Sequence, residues 1–112
     1  MEKYANAKVV ARNEDGSYNR TMVLGTPPMG CKYVVTGVYA SSPADMGFTW
    51  RDVEGALIVP ATWWGKNITG IDVERPGGLF ESDCAVYVEN PTLGDIALQV
   101  SYRVEPDAGP VS

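Results

Sequence analysis

The sequence predicts an all-β chain: a small antiparallel β-sandwich of about seven strands, jelly-roll-like with an Ig-like arrangement as the alternative, and no long helix. Three observations carry this. Apolar residues fall on every second position in stretch after stretch, the period of a strand with one buried face. No run of ten or more residues keeps them at the i, i+3, i+4 and i+7 positions of a helix face. Between the alternating stretches lie clusters of Gly, Pro, Asn and Asp, whose backbone preferences make turns. At 112 residues the chain forms a single domain, residues 1–112, with short mobile ends at Met1–Asn6 and Pro106–Ser112.

Taken in order, "AKVVAR" and "YNRTMVL" flank "NEDGS", where Asp15-Gly16 is a turn dipeptide, and a first hairpin is expected there. "CKYVVTGVYA" is apolar on both faces, Tyr33, Val35 and Tyr39 opposing Val34 and Val38, as in a central strand; Gly37 marks a bulge or a close backbone approach. "SSPADMGFTWRDVE" reads as a long loop opening with one helical turn, Ser42 capping and Pro43 in first position, and it leaves Met46, Phe48 and Trp50 outside any strand. "GALIVPA" and "ITGIDVE" are further strands. In the second, Ile71 and Val73 face in, Asp72 and Glu74 face out, and a bulge at Gly70 corrects the parity of Ile68. "RPGGLFESD" is a second long loop carrying Leu79 and Phe80. "CAVYVE" sets Cys84, Val86 and Val88 against Ala85, Tyr87 and Glu89. "IALQVSYRVE" sets Ile96, Leu98, Val100, Tyr102 and Val104 against Ala97, Gln99, Ser101, Arg103 and Glu105. With "NPTLGD" between them, these two read as a terminal hairpin.

The chemistry of the side chains excludes more than it suggests. The net charge is −5 and the nine Lys and Arg are scattered singly, so no basic stripe exists to neutralise phosphates, and neither nucleic acid nor an anionic membrane is expected as a partner. The longest apolar runs are too short to cross a bilayer. The start, "MEKYANAKVV", has no apolar h-region, so synthesis in the cytoplasm is expected. There is no histidine, which removes the commonest general base, the usual partner of a nucleophilic Ser or Cys, and the commonest metal ligand. The fourteen carboxylates sit beside turns or on outward strand positions, as solvated charges do, and none falls into an EF-hand pattern. No glycine-rich stretch opens a helix as a phosphate loop does. Neither catalysis nor a cofactor nor a metal is expected. Cys31 and Cys84, far apart in sequence, read as small buried thiols without a bridge.

What remains is surface. Phe48, Trp50, Trp63, Trp64 and Phe80, with Met46 and Leu79, exceed what loops and strand ends need for solubility, and aromatics and Met are enriched at interface cores. These seven are the candidate interface residues. Trp63 and Trp64 point to opposite faces of an extended chain, so one is expected in the core and the other at a subunit or partner contact. A carbohydrate-binding β-sandwich is the alternative; it requires coplanar rings on one face, which adjacent tryptophans cannot supply. In its size, acidic β-rich patterning and absence of catalytic residues, the whole chain resembles the small decoration, cement or staple proteins that lock the heads of tailed phages, especially short-tailed ones. The resemblance rests on no specific motif. It implies a jelly-roll-like fold, self-association as a dimer, and attachment of many copies to the major capsid protein of an assembled shell, across joints between capsomers on the virion head surface.

Overall fold

The computed structural model describes residues 2–42, 46–59, 63–65 and 70–107. The alternating stretches become β1 (Lys3–Val9), β2 (Arg20–Leu24), β3 (Cys31–Ser41), β4 (Met46–Arg51), β5 (Trp63–Gly65), β6 (Gly70–Glu74), β7 (Phe80–Ser82), β8 (Val86–Glu89) and β9 (Ile96–Pro106). One sheet runs β1-β9-β3-β6, with β7 on the same edge of β3, and the other runs β2-β8-β4-β5. All pairings are antiparallel.

β6 and β7 are two halves of one strand. β6 pairs with Gly37–Ser41 and β7 with Tyr33–Val35. The ladder continues between them, because the Arg75 N–H donates to Thr36 O at 2.7 Å and the Leu79 N–H to Val35 O at 2.6 Å. "PGG" is thus a short excursion from an edge strand, and with its halves joined the described residues form eight strands, in line with the expected sandwich of about seven. First pairs with last, second with second-last, third with the interrupted strand, and β4 with β5. A single long hairpin, turned back at β4–β5 and rolled up, is the jelly roll. An Ig-like sandwich pairs sequence-adjacent strands within a sheet; among the described strands only β4 and β5 do so.

That topology overturns both expected hairpins. The turn at Asn13–Ser17 is present, with Gly16 at φ 89°, but β1 and β2 lie in opposite sheets, as do β8 and β9. Alternation fixes which face of a strand is buried, whereas connectors of this length easily cross the roughly 10 Å between sheets. Residues Lys3–Asn6, expected to be mobile, belong to β1. "MGFTWR" is a strand and not a loop, with Met46, Phe48 and Trp50 on its inner face, and "FES" is likewise a strand. "GALIVPA" is no strand as far as Val59: Asp52–Ala56 form a turn, Asp52 Oδ1 accepting from the N–H groups of Glu54 and Ala56, followed by one bridge between Leu57 and Arg51. The helical turn at Pro43, the bulge that relates Ile68 to Gly70, and the tail beyond Asp107 lie outside the described residues.

The core is the sum of the inner rows: Val35, Val38 and Ala40 of β3, Met46, Phe48 and Trp50 of β4, Val86 and Val88 of β8, and Ile96, Leu98 and Val100 of β9, with Val9 and Leu24. The bulge expected at Gly37 is there. Val35 pairs with Tyr102 and Gly37 with Ser101, leaving Thr36 as the extra residue. A Cβ on Gly37 would stand 2.7 Å from Ser101 Oγ, so a larger residue here would displace the Ser101 hydroxyl from this face. The bulge also reverses the parity of β3. Tyr33 and Val35 face the core, but beyond it Val38 and Ala40 do so and Tyr39 turns outward, contrary to the grouping expected from sequence. Both cysteines are free. They are half-buried rather than fully enclosed, Cys31 opening β3 and Cys84 in the bend before β8.

Candidate interaction surfaces

Four of the residues expected at an interface, Phe48, Trp50, Trp63 and Phe80, converge, but inward. Trp50 packs against Phe80 with ring centroids 4.8 Å apart, against Trp63 at 5.5 Å and against Phe48 at 5.7 Å. Phe48–Trp63 and Trp63–Phe80 complete the cluster at 5.8 and 6.3 Å. Most pairs are edge-to-face, the arrangement the ring quadrupole favours. β4 and β5 belong to one sheet and β7 to the other, so these rings close the open side of the sandwich.

Met46, Phe48 and Trp50 are fully buried within the chain and cannot touch a partner. That corrects their assignment as contact residues. Trp63, Leu79 and Phe80 are half-buried and packed against the core. Trp64 pairs through its backbone with Gly47; its side chain lies outside the described residues. The signal for the burial of β4 was present as the alternation Met46, Phe48, Trp50, which the flanking Pro43 and Gly47 obscured. Trp50 Nε1 is buried with no acceptor among the described residues.

The exposed apolar side chains are different ones, and sequence reasoning missed them. Successive strands run in opposite directions, so the connections after β2 and β4 share one end of the sandwich and those after β1 and β8 the other. The first end displays Met29, Val53 and Leu57, and the second Val10, Tyr18 and Leu93. Met29 is fully exposed and Leu93 is 77% exposed. Nothing local marks them, because a lone apolar residue in a turn reads the same in sequence whether it folds inward or out.

Both ends are braced. At the first, the Cys31 N–H donates to Pro28 O at 2.9 Å and the Asp107 N–H to Gly30 O at 2.8 Å. At the second, Asn90 is completely buried; its amide donates to Gly94 O at 2.9 Å and to Val9 O at 3.3 Å, while its Oδ1 accepts from Thr92 N–H and Oγ1. Asp95 Oδ1 accepts from the Ala11 N–H at 2.8 Å, and the carboxylate pairs with Lys8 at 3.4 Å. The Ala11 N–H, aided by Lys8, holds this carboxyl below the usual carboxylate range. Glu81, 2.9 Å away, raises the Lys32 ammonium above its ordinary value. Among the described residues no three His, Cys, Asp or Glu side chains come together as a metal site would require.

Strand order defines the class of this protein as a small jelly roll. No family model and no curated protein matches the chain. Among solved structures it is similar to the coat protein of Tobacco streak virus, with a TM-score of 0.45 and 11% sequence identity over 99% of this chain and 90% of that one.

Proposed function

We propose that this protein is a non-catalytic attachment module that bridges neighbouring units of a large symmetric protein assembly, and specifically a decoration protein that cements the head of a tailed phage. One observation carries the reading: apolar side chains are displayed from braced loops at both ends of an elongated block. The domain measures 49 × 28 × 21 Å. Its eleven-residue strands β3 and β9 span about 36 Å each, so the long axis runs along the strands and separates the two apolar ends. Braced tips lose little conformational entropy on contact, and a modest contact repeated in many copies across joints resists their separation collectively. The outer edge of β1, which no other described strand pairs, offers a route to the proposed dimer, since an unpaired edge is a template for another strand.

The test mixes purified protein with expanded heads that lack it. The protein is expected to co-sediment with the heads and raise their disruption temperature, and Met29→Ser with Leu93→Ser is expected to abolish both effects while leaving the melting temperature of the free protein unchanged. If the protein neither sediments with heads nor protects them, or if the double variant performs as well, the reading is wrong.

A further inference from the structure

The outer face of the β1-β9-β3-β6 sheet carries a pattern that attachment through the loop ends does not use. Two cross-strand rows define it. One reads Tyr4, Ser101, Gly37, Glu74 and the next Asn6, Gln99, Tyr39, Asp72, each residue directly opposite the one before. Tyr4 is 63% exposed and Tyr39 48%. They occupy diagonal corners, two strand spacings and one two-residue step apart, which puts their Cα atoms about 12 Å from each other. Between them the face is hollowed. Gly37 has no side chain and Ser101 a short one, and the depression of 230 Å³ that results is walled by Tyr4, Tyr39, Gln99, Asp72 and Glu74. A second, larger depression of 980 Å³ adjoins it on the other side of the Tyr39–Gln99 row, over Ala97, Asn6 and Lys8. The two share Tyr39 and Gln99 as a common ridge.

We infer that this face is a binding platform for a neutral saccharide chain, with one sugar unit in the hollow between Tyr4 and Tyr39 and the chain continuing over Tyr39 into the larger depression. The chemistry of the walls selects the ligand. Exposed tyrosine rings offer flat apolar faces of the size of a sugar ring, and such amphipathic aromatics suit a ligand with both apolar faces and hydroxyls. Around them stand groups that pair with vicinal hydroxyls: the carboxylates of Asp72 and Glu74 as acceptors, the Ser101 hydroxyl, and the amides of Asn6 and Gln99 as both donors and acceptors. Gln99 donates to Asn6 Oδ1 at 3.2 Å, an arrangement that orients the Asn6 NH₂ and the Gln99 carbonyl toward other partners. Anionic ligands are disfavoured: the hollow has two carboxylates on its wall, and the nearby Lys8 is paired with Asp95. The larger depression is mainly apolar, as small-ligand sites usually are, and the hollow is mainly polar, which suits the hydroxyls of a sugar unit.

The tyrosines reach this face by tertiary means. They stand 35 residues apart in sequence (39 − 4), and Tyr39 faces outward because the Thr36–Gly37 bulge turns it there.

Affinity electrophoresis in native gels containing neutral polysaccharides (a β-glucan, a mannan, a galactan) tests the inference, with polygalacturonate as the acidic arm. The wild-type protein is expected to be retarded in at least one neutral gel and not in the acidic one. Tyr4→Ala and Tyr39→Ala should each weaken that retardation by roughly five- to tenfold and the double variant should abolish it, with melting temperatures unchanged. Absence of retardation in every neutral gel overturns the inference, as does stronger retardation in polygalacturonate or retardation indifferent to both tyrosines. So does a dimer in light scattering that Tyr39→Ala dissociates, since the face would then be a contact between copies. None of these outcomes depends on binding to phage heads, so the two proposals fail separately.

Discussion

Two sets of aromatic residues lie on opposite sides of one sheet. Phe48, Trp50, Trp63 and Phe80 gather between the sheets where β4, β5 and β7 meet, while Tyr4 and Tyr39 stand on the outer face of the β1-β9-β3-β6 sheet with about half or more of their surface in water. Phe48, Trp50, Trp63 and Phe80 drew attention in the sequence because they are large and apolar, and for that reason the fold draws them into or against its core. The tyrosines are left where a ligand can reach them. Conspicuous apolar side chains in a small domain are claimed first by the core, and surface function falls to amphipathic ones.

The sharpest way to break this contrast is at Trp50. Trp50→Ala should destabilise the fold by about 3–5 kcal/mol, lowering the melting temperature by roughly 15–25 °C in a circular dichroism melt. Trp50→Phe should cost markedly less, because it keeps most of the packing and removes an indole N–H that has no acceptor among the described residues. A small effect from Trp50→Ala would mean that the aromatic cluster is not the closure of the sandwich. On the outer face the expected effect is the reverse: Tyr4→Ala and Tyr39→Ala should each change stability by no more than about 0.5 kcal/mol, a comparison the same melts provide. A large loss there would make the tyrosines structural.

The smallest expected effect is electrostatic, at the end of the sandwich where Ala11, Lys8 and Asp95 meet. A carboxyl held low in the folded state contributes stability that is fully present above its ordinary value of 3.8 and is lost as pH falls through the lower folded value. Melting temperatures of the wild type and Asp95→Asn should therefore differ by a small, constant amount at neutral pH and converge in acid below that range. A gap that persists in acid would assign the effect to something other than the charge.

Much of this was legible in the sequence, and the limit has a physical basis. Period-two alternation placed Ile96, Leu98 and Val100 inside and Ala97 and Gln99 outside, as the structure has them, because a strand's pleat fixes side-chain direction locally. Gly37 announced the bulge, because a glycine inside a strand pattern often marks one. The pairing of β1 with β9 and of β2 with β8 was not legible, since every inward-facing strand satisfies the same pattern whichever neighbour it takes. The burial of Met46, Phe48 and Trp50 was written in their alternation but masked by Pro43 and Gly47, and the contact of Trp50 with Phe80 of β7 was not legible at all, since it joins the two sheets.

The sequence by itself thus determined an all-β sandwich with its turns, most of its inner faces and a surface free of basic patches, all consequences of local backbone geometry and composition. Only the tertiary structure decided that the sandwich is a jelly roll, that its loop ends carry Met29 and Leu93 outward, and that Tyr4 and Tyr39 share a face. Those depend on which distant segments meet, and hydrogen bonds between strands carry no record of sequence separation.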